Sequence, residues 1–230
     1  MSKASDRYWR SAAEDESMQG AHEFVWKATL QTIEVDLRGR RVLDVGCNRG
    51  GFLRMLCDQG EIAEGFGYDP AEGAVEDARR LAGERPLFFE VADTVPEDWG
   101  EFEVAFSHGV VYLIHDLVGH ARAMYQALAA GGSYYASIGV HADSPLLAVW
   151  HHDHVDDLRL PRLYSVDEVV SAFSDVGFEC AAARLQMGFV PAVLPEVGLA
   201  ARLVEWLDYN YERKLLLRFT RPTDHSHGKH

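Results

Sequence analysis

At 230 residues the chain is long enough for one full hydrophobic core and short for two domains. Its 47% hydrophobic and 25% charged content is that of an ordinary globular protein, which excludes disordered and fibrous classes, and no apolar run approaches the ~20 residues of a membrane-spanning helix. With 36 Asp and Glu against 22 Lys and Arg, the formal charge of -14 sets an average field that repels a phosphate backbone, so no nucleic acid is expected as a partner.

The N-terminus is studded with Asp6, Arg7, Arg10, Glu14 and Asp15 and offers no signal-peptide core, so a cytoplasmic protein without membrane contact is expected. Cys47, Cys57 and Cys180 cannot all pair, and they read as reduced, small buried side chains rather than nucleophiles.

In chain order, Met18, Ala21, Val25, Ala28 and Thr32 mark one face of a helix from about Ser17 to Ile33. Arg40–Val45 reads as a short buried strand that runs into the glycine-rich segment Gly46–Gly51, and a helix starts at Phe52. Gly65–Asp69 and Leu87–Val91 are further strands, separated by a helix over Ala71–Leu81. Glu103–Ser107 is a fourth strand, Leu117, Ala121, Met124, Tyr125 and Leu128 mark the next helix, and Gly131–Gly132 turns the chain into a fifth strand, Ser133–Val140. This alternation implies βαβ crossovers and a mostly parallel sheet.

Later, Ser165 and Glu168 have the spacing of a capping box, opening a helix that Gly177 closes. Phe178–Met187 and Lys214–Arg221 are the final strands, with a helix-like stretch rich in Leu, Trp and Tyr between them. The expected organisation is a helical cap over residues 1–36, one domain over 37–221 with a helical insertion at about 192–212, and a disordered tail over 222–230.

The loop after the first strand carries the functional argument. It reads Asp44-x-Gly46-x-Asn48-x-Gly50, not the G-x-G-x-x-G of a nicotinamide-binding turn. Small residues let backbone approach a ligand, and the amides at a helix N-terminus face it. A carboxylate in the loop would repel a pyrophosphate, whereas it suits a ligand with a cationic amino acid end.

VLDVGCNRGGFL resembles the first motif of class I S-adenosylmethionine-dependent methyltransferases. That resemblance implies a Rossmann-like three-layer α/β sandwich with a seven-stranded, mostly parallel sheet whose last strand is antiparallel. It implies S-adenosylmethionine as cofactor and S-adenosylhomocysteine as product. Asp44, Gly46, Cys47, Asn48 and Gly50 match its cofactor loop, Asp69-Pro70 its ribose-binding acid, and Asp93-Thr94 the residues near the adenine. Ser107 and His108 lie at its fourth motif, and LAAGGSYYAS is similar to its later glycine turn. Asn48 stands at the family's middle glycine and tolerates left-handed backbone. Tyr8 and Arg10 match an N-terminal segment that folds over the cofactor in many members.

His108 and His141 follow the fourth and fifth strands at the sheet's carboxyl edge, where a neutral imidazole could bond the cofactor or take a proton from an acceptor. His151-His152-Asp153-His154 lacks a third ligand segment and reads as a solvated loop rather than a metal site. Leu203, Trp206, Leu207, Tyr209 and Tyr211 read as a helix packed on the sheet, with a lid or a homodimer surface as alternatives. The expected activity is methyl transfer to oxygen or nitrogen of a small-molecule acceptor. The alternatives are a catalytically idle cofactor-binding protein acting through a partner, and a dehydrogenase, which the loop order opposes.

Overall fold

The computed structural model describes residues 12–139, 141–142, 162–189 and 203–223. The chain runs α1 (Ala12–Thr32), β1 (Arg41–Val45), α2 (Gly51–Asp58), β2 (Glu64–Asp69), α3 (Glu72–Ala82), β3 (Leu87–Val91), β4 (Phe102–His108), α4 (Leu117–Ala127), β5 (Leu128–Ile138), α5 (Val166–Ser174), β6 (Glu179–Arg184), α6 (Leu203–Asp208) and β7 (Leu215–Thr220). A π-helical turn, Tyr209–Arg213, joins α6 to β7.

The strands form one seven-stranded sheet in the order β3-β2-β1-β4-β5-β7-β6. β1 to β5 are mutually parallel, and β7 lies antiparallel to both β5 and β6. The expected topology is therefore the observed one. The fifth strand starts earlier than expected, at Leu128, because the Gly131–Gly132 segment is carried within the strand.

Alternation along each strand sends side chains to two faces. On one, Leu43, Ala105, Tyr134 and Phe219 pack under α4 and α5; on the other, Val42, Val104, Phe106 and Tyr135 pack under α1, α2 and α3. The capping box forms as read: the Ser165 Oγ accepts from the Glu168 amide at 3.1 Å, and the Ser165 amide donates to the Glu168 carboxylate at 2.7 Å.

The consequence for function is topological. From β1 the chain winds outward to β2 and β3, then returns to place β4 on the other side of β1. Helices after β1 and β4 diverge, leaving a crevice at the carboxyl ends of these two strands, where open α/β sheets bind ligands.

Candidate active site

The crevice is a cleft of about 400 Å³, counted with its open mouth, lined by His22, Trp26, Asp44, Gly46, Cys47, Asn48, Arg49, Gly51, Phe52 and His108. Asp44, Gly46, Cys47, Asn48 and His108 thus come together as the sequence suggested, because Asp44 and His108 share one face of the adjacent strands β1 and β4.

The loop is held by its own bonds. Gly46 and Cys47 donate their amides to the Tyr68 carbonyl at 2.9 and 3.1 Å, and Gly50 donates to the Cys47 carbonyl at 2.8 Å. The Asn48 amide donates to Asp69 Oδ2 at 3.0 Å, while Asp69 Oδ1 accepts from the Ala71 amide at 2.9 Å. The amides of residues 46, 47, 48 and 50 are therefore committed to protein. Asp69 ties the loop to the end of β2.

The glycines serve conformation and packing. Gly46 and Gly50 both have φ of 68°, and a Cβ would lie 2.6 Å from Val110 at Gly46 and 2.4 Å from Phe89 at Gly50. Asn48 takes the left-handed conformation as anticipated, with φ of 48°. Gly109, with φ of 69°, is likewise closed off: a Cβ there would lie 2.9 Å from the Tyr112 hydroxyl.

Asp44 is buried at 3% exposure. Burial, and secondarily the nearby Asp69, hold its carboxyl well above the usual carboxylate range. A buried acid so placed is stabilised in its charged form by a cation entering the cleft. The residues present therefore fit a ligand with a cationic end. Burial and the same two carboxylates push the Cys47 thiol up, so it stays protonated and unreactive.

His108 sits edge-on to Phe52 at 4.4 Å between ring centroids and near Trp26 at 6.4 Å. Its Nδ1 lies 3.3 Å from Ser137 Oγ, and its Nε2 is shut off from solvent with no hydrogen-bond partner among the described residues. Burial, then the neighbouring His22, lower its pKa to about 3, so at neutral pH the ring is uncharged and a feeble base.

The remaining candidates lie elsewhere. Ser107 points to the opposite face, accepting from the Tyr134 hydroxyl at 2.7 Å, and that hydroxyl also lies 3.2 Å from His120 Nε2. One residue of register separates it from the cleft. His141 is buried with Nε2 at 3.1 Å from the Arg213 carbonyl, bracing β5 against the turn before β7 rather than lining the cleft. Pro70, Asp93 and Thr94 are exposed at the ends of β2 and β3. Tyr8, Arg10 and the run from His151 to His154 lie outside the described residues.

Sequence reading missed His22, Trp26, Arg49 and Phe52 as lining residues. His22 and Trp26 are four apart on α1 and share a face, but nothing in the periodicity says that this face covers a cleft. Arg49 is tied by an ion pair to Asp77 on α3, with Nε at 3.1 Å from Oδ2.

Comparison with known proteins matches residues 17–183 to the family described as Methyltransferase domain. The chain belongs to this methyltransferase family. It is 34% identical over 113 residues to a tRNA U34 carboxymethyltransferase of Pseudomonas paraeruginosa, a match spanning 46% of this chain and 34% of that protein. The matched part is thus about a third of the curated relative's length. In fold, this methyltransferase is similar to the methyltransferase solved in complex with the Haloferax volcanii Trm112 activator (TM-score 0.77, 23% identity, 92% of this chain and 95% of that one). It is also similar to a Haemonchus contortus phosphoethanolamine N-methyltransferase 2 solved with S-adenosyl-L-methionine (TM-score 0.69, 15% identity, 95% and 59%). The class I resemblance read from the loop agrees with both family and fold.

One expectation is corrected. A relative that acts on tRNA removes the exclusion of nucleic acid that was drawn from the charge of -14. Net charge is an average over the whole surface, and in physiological salt its influence fades over ~8 Å, so it does not set the potential at one cleft mouth. Among the described residues, no helix of the methyltransferase is long and apolar enough to cross a membrane.

Proposed function

We propose that this methyltransferase uses S-adenosylmethionine to alkylate an acceptor carried on RNA of the tRNA class. Asp44 carries the cofactor part of the reading: a buried carboxyl facing the cleft fits the ammonium and sulfonium of that cofactor. The acceptor part is supported by the 34% identical tRNA U34 carboxymethyltransferase.

When bound, the cofactor supplies an electrophilic methyl carbon on a positively charged sulfur. The chain's own residues position and shield. Asp69, at the end of β2 with its oxygens accepting from Asn48 and Ala71, is the acid that would take the ribose hydroxyls. Pro70 follows that acid, and Asp93 and Thr94, exposed just after the neighbouring strand β3, would flank the adenine. His108 lines the cleft and acts there as a positioning group; a ring with so low a pKa is a poor general base. Trp26 and Phe52 exclude water from the reacting atoms, and holding acceptor and donor in line supplies much of the rate.

Two measurements test this. Calorimetry should show S-adenosylhomocysteine binding to the isolated chain. Methyl-labelled S-adenosylmethionine with total tRNA should then put label into nuclease-sensitive material. No binding would overturn the cofactor; label appearing only in small molecules would overturn the acceptor. A second reading, a cofactor-binding protein that works through a partner, is supported by the similarity to a methyltransferase held with an activator. Tight cofactor binding with no label transfer by the isolated chain would favour it.

A further inference from the structure

The connections from β1 to β2, β2 to β3 and β4 to β5 each carry a helix, but the one from β3 to β4 does not. Residues 92–101 hold a single 3₁₀ turn, Glu97–Trp99, where a parallel crossover ordinarily has a helix. α2 and α3 pack on β2 and β3 from one side. The other side of these strands, which carries Phe66 and Phe88, is left to the short crossover. Phe88, on the strand at the sheet's edge, is 46% exposed and stacks on Phe66 at 4.9 Å between centroids. The Trp99 ring leans on the same Phe66 at 5.4 Å, and Val95, half-buried, packs on the same core. These groups form one apolar surface at the margin of the sheet.

The exposed charges beside these rings are acidic. Glu90 lies two residues past Phe88 and so stands on the same face of β3, while Glu97 and Asp98 precede Trp99 in the 3₁₀ turn; all three are exposed. Arg41 shares this side of the sheet, but its guanidinium lies over the Phe66 and Phe102 rings at 4.5 and 5.1 Å. It also donates to the Trp99 and Glu101 carbonyls at 2.6 and 3.0 Å and meets Glu64 at 3.2 Å. Its charge is committed to protein partners, and the rim carboxylates stay exposed. The backbone edge of β3 is partly closed from the other side, where Arg79 of α3 donates its Nε to the Phe89 carbonyl at 2.8 Å. A strand added to that edge would have to displace this bond; the Phe88 face lies clear of it.

An exposed apolar patch with a polar rim marks an interaction surface, and aromatic anchors carry most of the energy at such surfaces. The carboxylate rim decides between occupants. RNA would bring phosphates against Glu90, Glu97 and Asp98, and a second copy docked face to face about a two-fold axis would set the rim against itself. Complementary charge belongs to a basic partner. We propose that the face formed by Phe88 and Trp99 docks a protein partner, through a segment that presents an apolar side chain flanked by Lys or Arg. The proposal rests on neither the cofactor nor the acceptor reading above.

The probes are a fluorescent peptide alternating Lys with Leu and Trp, its counterpart with Glu in place of Lys, and oligouridylate, each titrated into the whole chain by fluorescence anisotropy. Only the basic peptide should bind saturably. Phe88→Ser, Glu90→Lys and Glu97→Lys should each weaken it about fivefold or more, whereas Glu76→Lys, an equal change of charge at an exposed position of α3, should alter it by less than about twofold. Equal losses in Glu76→Lys and Glu97→Lys would reveal diffuse attraction to an acidic protein and overturn the proposal. Absence of saturable binding by the basic peptide would overturn it too. Oligouridylate binding that Phe88→Ser abolishes would give the face to RNA instead, and a dimer in sedimentation velocity that Phe88→Ser dissolves would give it to a second copy. Phe88 stacks on a core ring, so should Phe88→Ser fail to fold, the reversals at the exposed Glu90 and Glu97 decide.

Discussion

Replacing Asp69 with alanine tests the site most directly, because two roles meet in one carboxylate. Its oxygens accept from the Asn48 and Ala71 amides at 3.0 and 2.9 Å, and the first of these bonds joins residues 21 apart in sequence. Bonds to a charged acceptor net ~1.5–3 kcal/mol each, with the lower figure apt at a half-buried group. Removing both also relieves the repulsion that Asp69 exerts on Asp44, which offsets part of the loss. The balance is about 2 kcal/mol, equivalent to a fall in Tm of roughly 4–8 °C for a chain of this size. Asp69→Asn keeps one acceptor oxygen and should lose about half as much. Differential scanning calorimetry reads this arm, and titration with S-adenosylhomocysteine reads the other, where Asp69→Ala should weaken binding about tenfold or more. An unchanged Tm would refute the tie between β2 and the loop. Wild-type affinity in a destabilised Asp69→Ala would refute the ribose assignment alone.

Gly50→Ala forces a left-handed residue and a Cβ 2.4 Å from the Phe89 ring, so it should cost at least ~2 kcal/mol in urea unfolding, and a loss below ~0.5 kcal/mol would show that the loop yields easily. Asp44 has a folded-state pKa above its unfolded value, so the stability it confers is full below the unfolded pKa and lost as pH rises through the folded one. Asp44→Asn should therefore stabilise the free protein more at pH 8 than at pH 4 while abolishing tight S-adenosylhomocysteine binding; equal effects at both pH values would contradict this. His22, His108 and His120 are held at about 4, 3 and 4, chiefly by burial, so their contribution is full above about pH 6.5 and drains away as pH falls toward those values. Unfolding free energy should drop steeply between about pH 6.5 and 4, less so in His120→Gln, and a flat profile would rule out neutral burial. His141→Ala should lower stability by ~1 kcal/mol through the lost contact with the Arg213 carbonyl and leave cofactor affinity unchanged; a selective loss of affinity would return His141 to the cleft.

What the sequence by itself determined is local and periodic. The alternation of strands and helices, the Ser165 cap and the loop from Asp44 to Gly50 were legible because each depends on residues within a few positions of one another. Asn48 could be anticipated at a left-handed position because its side chain tolerates one. Neighbourhood across the sheet was not legible. Ser107 and His108 are adjacent in sequence, yet one enters a hydrogen-bonded core and the other the cleft, because a strand alternates its faces and only the tertiary structure says which face holds the site. The glycines looked like room for a ligand until Phe89 and Val110, both distant in sequence, were seen to fill that room. His22 reaches the cleft only because α1 folds back over the end of β4, and a helix read alone does not name what it covers. Local pattern fixes elements; the pairing of β1 with β4, Val42 against Val104, builds the site, because the helices that follow these two strands diverge and leave a crevice at their carboxyl ends.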